Sequence, residues 1–103
     1  MTIVNRNYSI HEIEEWARDQ QEKIRAKNAN APGLSEIEFV VQPGKKNVRV
    51  VKYVYGQGSV WCFIEMATGN ILKAAGFKAP AKGARGHISE NRVWDWNGSD
   101  WYC

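Results

Sequence analysis

Four cations set among small residues are the part of this sequence best suited to chemistry. They lie between residues 73 and 86 and are separated mainly by glycine and alanine: Lys73, Lys78, Lys82 and Arg85. Small residues let a backbone approach a phosphate closely, and cations supply charge and hydrogen bonds. The Gly-x-x-x-x-Gly-Lys-Ser/Thr order of a nucleotide-hydrolysing loop is absent. The segment therefore predicts contact with a nucleic-acid backbone, and the alternative is a solvated loop whose lysine stems cover the sheet.

The charges along the chain are unevenly distributed. Residues 1–42 carry five Lys/Arg and seven Asp/Glu, residues 43–92 carry nine and two, and residues 93–103 carry two aspartates alone. These counts give net charges of −2, +7 and −2, which sum to the +3 of the whole chain. A basic middle between acidic ends predicts an anionic partner or a self-complementary surface. The basic middle also holds Lys45, Lys46 and Arg49, which we add to the predicted nucleic-acid contacts.

The five tryptophans of the chain divide into two groups. Trp16 and Trp61 fall inside predicted elements, and large aromatic residues of a small domain are usually core. Trp94, Trp96 and Trp101 lie in the acidic tail, where the negative charge disfavours nucleic-acid contact. Because tryptophan is enriched at binding hot spots, these three are candidates for a protein–protein or self-association interface. The alternative is a hairpin that packs within the fold.

The histidine and cysteine residues do not predict an active site. A Cys–His nucleophile needs both side chains within hydrogen-bond reach, beside an oxyanion hole, and the positions of Cys62 and His87 do not indicate that arrangement. Neither Cys62 nor Cys103 has a neighbouring Cys or His at the spacing of a metal site. The pair Asp95 and Asp100 flanks a turn, where carboxylates more often serve turn geometry than catalysis. We therefore expect free thiols, no enzymatic activity, no metal and no cofactor.

Length and composition predict one domain over residues 1–103. A hydrophobic fraction of 44% is ordinary for a globular protein. No apolar run approaches the ~20 residues that cross a bilayer. The N-terminus lacks a basic region followed by an apolar one, so no signal peptide is predicted. We expect a cytoplasmic protein with no membrane partner.

A single helix is predicted over residues 8–30. Ser9 and Glu12 fit a capping box, in which each side chain satisfies a backbone donor at the start of the helix. Apolar residues then recur at helical spacing and form one stripe: Ile10, Ile13, Ala17 and Ile24, with Trp16 alongside. Such a stripe requires an apolar surface to pack against.

Four antiparallel strands are predicted over residues 36–75. Runs rich in β-branched and aromatic residues lie at 37–41, 48–55, 59–66 and 71–73, with turn signals between them. The third run is apolar on both faces and is therefore placed centrally. Short turns favour an antiparallel meander. The predicted fold is α+β, with the helix packed on one face of a four-stranded meander.

The last quarter of the chain lacks a clear strand or helix pattern. Residues 76–88 are predicted to form an irregular basic loop, because glycine, alanine, proline and cations dominate there. Residues 89–103 form a Trp-rich tail, in which Asn97-Gly98 is a strong hairpin signal. A two-residue turn there would place Trp94 opposite Trp101.

Residues 60–88 hold the most specific motifs of the chain. A strand with Phe63-Ile64-Glu65 precedes the turn Thr68-Gly69-Asn70, then Lys73 and the run Lys78-Ala79-Pro80-Ala81-Lys82-Gly83-Ala84-Arg85-Gly86-His87. This pattern resembles a segment of small, functionally uncharacterised phage proteins, in which the strand ends in Phe-Val-Asp, the turn is Thr-Gly-Asp and the run is Lys-Ala-Pro-Ala-Lys-x-Ala-Arg-Gly-Asn. The resemblance implies a viral origin, an accessory role and the host-cell cytoplasm as the location. It brings no assigned activity, and the Trp-rich tail lies outside it.

Two functions remain open from the sequence. The first is a phage-type accessory protein that binds nucleic acid through seven cations: Lys73, Lys78, Lys82, Arg85, Lys45, Lys46 and Arg49. The second is an interaction or self-assembly module that engages a host protein or another copy through three tryptophans: Trp94, Trp96 and Trp101.

Overall fold

A computed structural model describes residues 8–75, 80–90 and 92–94. These residues form the helix α1 (Ile10–Lys27), a short 3-10 helix (Leu34–Glu36) and five strands. The strands are β1 (Glu38–Pro43), β2 (Asn47–Val54), β3 (Gln57–Glu65), β4 (Asn70–Ala74) and β5 (Pro80–His87). All pairings are antiparallel and follow chain order, so the sheet is a meander with β3 at its centre. The α+β class predicted from the sequence is confirmed.

Helix α1 begins at the predicted capping box. The Glu12 backbone N–H donates to Ser9 Oγ at 3.1 Å, and the Ser9 N–H donates to Glu12 Oε1 at 3.2 Å. These bonds satisfy donors that have no partner inside the helix. At the other end, the Asn28 side-chain amide donates to the Ile24 carbonyl at 2.8 Å. The helix is therefore shorter than the predicted span of residues 8–30.

The core lies between α1 and one face of the sheet. Trp61 on β3 is 2% exposed, and its ring stacks on Trp16 of the helix with centroids 5.7 Å apart and on Phe39 of β1 at 4.4 Å. Offset aromatic pairs of this kind add about 0.5–1.5 kcal/mol beyond the area they bury. The stack connects the helix to two strands, and it confirms the predicted core positions of Trp16 and Trp61.

Tight turns and bulges shape the sheet. Tyr55 and Gly56 form the two-residue turn between β2 and β3, with φ angles of 54° and 75°. Two successive positive φ angles are the signature of a type I′ turn, whose twist matches that of the strands. The register shifts between Val50 and Val51, where Trp61 is the extra residue on the partner strand. A bulge of this kind increases the local twist of the sheet.

Side chains of α1 cap the outer edge of β1. The Phe39 N–H donates to Gln21 Oε1 at 3.0 Å, and Arg25 Nε donates to the Ile37 carbonyl at 2.7 Å. Backbone groups alternate in direction along a strand, so Pro43 points to the same edge as Phe39, and proline has no N–H to offer. These features oppose pairing with a further strand at this edge.

The sequence prediction of an irregular basic loop and of four strands is wrong for the segment that forms β5. Pro80 pairs with Ala74 and Ala84 pairs with Leu72, so this segment is a fifth strand. Glycine and alanine have low strand propensity, but backbone pairing does not require a large side chain. Packing also requires glycine at position 86, because a Cβ there would collide with the Trp94 ring.

Candidate nucleic-acid interface

Three of the predicted contact cations lie around one depression. Lys45, Lys46 and Arg49 line a cavity of about 220 Å³ at the β1–β2 turn. Its other described lining residues are Gln42, Pro43, Gly44, Asn47, Phe63 and Pro80. None of the lining residues that the structure describes carries a carboxylate. The depression is therefore a concentration of positive charge, as contact with phosphate requires.

The β1–β2 turn, residues 44–46, carries Lys45 and Lys46 and is called the lysine turn. Contacts within and next to this turn determine its shape. A Cβ on Gly44 would lie 2.7 Å from the Asn47 carbonyl oxygen, so a larger residue would force the backbone to shift. The Met66 N–H donates to the Lys46 carbonyl at 3.0 Å, which joins this turn to the turn after β3. The backbone is thus held at two points, while the side chains of Lys45 and Lys46 are exposed to solvent.

Arg49 is positioned by its neighbours on the sheet face that points away from α1. Its Nε donates to Gln42 Oε1 at 2.7 Å on the paired strand. Its other neighbour in register is Phe63, which is 4% exposed and lies beneath the depression. Gln42 and Phe63 were not predicted as site residues. The alternation of side chains along β1 and β3 could have placed them beside Arg49 once the register was known.

The remaining predicted cations lie on β4 and β5. Lys73 on β4 and Arg85 on β5 are both half-buried, and each follows a residue of the Leu72–Ala84 pair. Lys82 lies in β5, between the paired residues Pro80 and Ala84, and Lys78 lies outside the described residues. These cations are separate from the lysine turn along the chain.

Pro80 joins the two groups of cations. It is the first residue of β5 and also lines the depression with Lys45, Lys46 and Arg49. Strand β5 is three strands away from β2 in the sheet order. The start of β5 can line a cavity at the β1–β2 turn only if the sheet curls, as its two bulged pairings favour.

Trp94, which the sequence suggested as an exposed contact, is buried. It is 2% exposed, its ring covers Gly86, and the Arg92 guanidinium lies 3.9 Å from the ring centroid. Its backbone N–H donates to Gln20 Oε1 at 2.9 Å. A side chain buried to this extent is not accessible to a partner. Trp96 and Trp101, with the predicted hairpin, lie outside the described residues, so their interface role stays a prediction.

Gln20 is a structural residue that the sequence reading missed. It is 1% exposed on α1, and its amide Nε2 donates to the Arg92 carbonyl at 2.9 Å while its Oε1 accepts from Trp94. The amide thus holds the segment after β5 against the helix. The available signal was its spacing, because position 20 continues the apolar stripe of Ile13, Ala17 and Ile24.

His87 and Cys62 do not form a nucleophile and base pair. The Ser89 N–H donates to His87 Nδ1 at 3.0 Å, so Nε2 carries the proton and donates to the Thr68 carbonyl. Both ring nitrogens are therefore engaged with the backbone. Cys62 is a fully buried free thiol, and burial raises its pKa well above the ordinary value. A protonated, enclosed thiol is a poor nucleophile.

Two further properties follow from the geometry. Across residues 8–75, 80–90 and 92–94, no three His, Cys, Asp or Glu side chains come close enough together to hold a metal ion. In the same residues, no helix has both the length and the apolar character needed to cross a membrane.

Comparison with known proteins assigns the family. Residues 3–103 match the model of DUF7717, a family of unknown function. The chain belongs to this family. No curated protein and no solved structure matches it. Because the function of this family is unknown, membership of DUF7717 does not indicate what the chain binds.

Proposed function

We propose that this chain is a small, non-enzymatic, phage-type accessory protein that binds nucleic acid through the phosphate backbone in the host-cell cytoplasm. The observation that carries the proposal is the depression at the β1–β2 turn, where Lys45, Lys46 and Arg49 converge and no described lining residue carries a carboxylate. Glu65 lines a neighbouring cavity with Lys45 and Lys46, where it accepts a hydrogen bond from Thr68 Oγ1. Phosphate contacts from Lys and Arg supply most of the affinity of proteins that bind nucleic acid without reading its sequence.

The depression suits a phosphate group better than a small organic ligand. Its volume of about 220 Å³ is below the ~300 Å³ at which pockets for drug-sized ligands begin. Lys45 and Lys46 are flexible point charges, whereas Arg49 is oriented by Gln42. One fixed and two mobile cations can follow an irregular backbone. This arrangement supports binding without strong sequence preference.

Strand β5 supports an extension of the contact along the backbone. The strand begins at the depression with Pro80 and carries Lys82 and Arg85. Strand residues advance about 3.3 Å each, so five residues of β5 span roughly 16 Å. Successive phosphates of one strand of B-DNA advance by about 3.4 Å along the axis, so this length covers several phosphates. The resemblance of residues 60–88 to phage proteins covers this same strand.

The test is binding of fluorescent single-stranded DNA, duplex DNA and RNA across a salt series. We expect affinity to fall as salt rises from about 50 mM to about 200 mM, because phosphate contacts release counterions. The variant Lys45→Ala/Lys46→Ala should bind more weakly and reduce the slope of log affinity against log salt by about 2.

A matched control separates the site from net charge. Lys23→Ala/Lys27→Ala removes the same charge from α1, and both lysines are exposed there. We expect it to change the slope much less than the variant at the β1–β2 turn. Absence of binding at low salt, or equal loss in the two double variants, would contradict the proposal.

A further inference from the structure

The face of the β1–β2 hairpin that points away from α1 carries opposite charges at its two ends. Phe39 and Val41 pack against the core, so the residues that alternate with them lie on the other face. In register, that face presents three cross-strand pairs: Glu38 with Tyr53, Val40 with Val51, and Gln42 with Arg49. The row therefore runs from an acidic and aromatic end, across an apolar centre, to a basic end.

A cavity extends the acidic end of this row. It has a volume of about 540 Å³ and is lined by Arg25, Gly33, Glu36, Glu38, Tyr53, Tyr55 and Gly56. The Glu36 and Glu38 side chains are exposed, and the two carboxylates outnumber the single guanidinium. Arg25 is engaged with the Ile37 carbonyl at the sheet edge. Carboxylates beside aromatic faces are suited to a cationic side chain.

Tyr55 is held over this cavity at a conformational cost. It is the one non-glycine residue with positive φ among those described, at 54°, and it is 74% exposed. A left-handed backbone costs such a residue about 1–2 kcal/mol. Its ring lies against Gly33, where a Cβ would approach to 2.5 Å. Because the side chain is mostly exposed, burial of the ring offsets little of this backbone cost, and the ring lies where a partner can reach it.

The opposite end and the centre of the row complete the pattern. Lys45 and Lys46 extend the basic end beyond Gln42 and are exposed. At the centre, Val40 is 39% exposed and its cross-strand neighbour Val51 is 2% exposed, so Val40 supplies the apolar contact there. Val40 and Tyr55 are the exposed large hydrophobic residues of the described chain; Val40 lies on this face, and Tyr55 lines the cavity at its acidic end.

We propose that a second copy of this chain docks on this face, about a two-fold axis at Val40. Glu38 and Gln42 lie two residues on either side of Val40, or about 7 Å each way along the strand. A two-fold rotation at Val40 therefore sets the lysine turn of each copy against the acidic, aromatic cavity of the other. The same attraction is made twice, as in any isologous dimer, and Val40 meets its own counterpart.

The capped edge of β1 favours this face-to-face arrangement over a continuous sheet. Gln21, Arg25 and Pro43 oppose strand addition at that edge. The proposal is independent of nucleic-acid binding, because it rests on the tyrosines, the glutamates and Val40 as well as on the lysines. Nucleic acid and a second copy would compete for Lys45 and Lys46.

The experiment is sedimentation of the nuclease-treated, intact chain from about 10 µM to about 1 mM, at low and at high salt. We expect a monomer–dimer equilibrium that weakens as salt rises. The reversals Glu36→Lys/Glu38→Lys and Lys45→Glu/Lys46→Glu should each weaken self-association by at least about tenfold. The reversals Glu15→Lys/Glu22→Lys and Lys23→Glu/Lys27→Glu on α1 are the matched controls and should leave it unchanged.

Mixing the two interface variants gives the decisive result. Each variant repels its own kind, but in a mixed dimer the new lysines face the new glutamates, and the original lysines face the original glutamates. The mixture should therefore form a heterodimer of about wild-type affinity. Circular dichroism of each variant confirms that it is folded before it is mixed.

Three results would overturn the proposal. They are a monomer at every concentration, self-association that the control reversals weaken as much as the interface reversals, and interface variants that fail to associate when mixed. The failure of DNA binding in the earlier test would leave this outcome unaffected, because no nucleic acid is present.

Discussion

Replacing Gln20 should cost more stability than its polar side chain would suggest. The side chain is 1% exposed, and its amide bonds both the Arg92 carbonyl and the Trp94 N–H at 2.9 Å. The substitution Gln20→Met nearly conserves the side-chain volume, but the Arg92 carbonyl and the Trp94 N–H both lose their hydrogen-bond partner. Each buried group left without a hydrogen bond costs about 1–3 kcal/mol. Because the Arg92 carbonyl is only partly buried, we expect a total loss of about 2–4 kcal/mol.

The assay is thermal and urea unfolding followed by circular dichroism. For a domain of about 100 residues, 1 kcal/mol corresponds to about 4–8 °C in Tm, so the midpoint should fall by about 10 °C or more. Glu22→Met, on the exposed face of the same helix, is the control and should change stability by less than about 0.5 kcal/mol. If Gln20→Met unfolds at the same temperature as this control, the two hydrogen bonds of Gln20 do not stabilise the fold, and the prediction is refuted.

Two further predictions concern packing and titration. Gly86→Ala should lower the free energy of unfolding by about 1–3 kcal/mol, because the added methyl would collide with the Trp94 ring. Ala84→Gly is the control in β5, because Gly83 has a positive φ angle that disfavours alanine. Equal melting temperatures of Gly86→Ala and Ala84→Gly would contradict this prediction. In a Cys103→Ser background, Cys62 should react with a thiol reagent only when the chain unfolds. The free energy of unfolding should fall as pH rises above about 8.5, because the folded thiol keeps its proton while the unfolded thiol loses it. Rapid labelling of the native chain at neutral pH would contradict this.

The elements with strong local signals could be predicted from the sequence. The capping box of Ser9 and Glu12 specifies where α1 starts, and the apolar stripe specifies which face is buried. The strands β1 to β4 are marked by their β-branched and aromatic residues, and the central position of β3 follows from its two apolar faces. In each of these elements the side chains themselves determine the structure.

The elements that the sequence did not indicate depend on long-range contacts. Strand β5 has no side-chain pattern of its own, and it becomes a strand because β4 offers a backbone partner and Trp94 covers Gly86. The same applies to the candidate site. Lys45 and Lys46 could be identified by charge, but their proximity to Pro80 depends on the curl of the sheet. Gln20 resembles a surface residue until its partners at 92 and 94 are known.

The contact between Gln20 and Trp94 also sets the order in which the chain can be completed during synthesis. Every strand pair joins neighbours along the sequence, so the meander can form progressively as the chain emerges. The bond from Trp94 joins residues 74 positions apart, and the amide of Gln20 has neither of its backbone partners until residues 92–94 have left the ribosome. The nascent protein therefore carries an incomplete helix–sheet interface until residues 92–94 emerge, and the stability that this contact supplies is acquired only then.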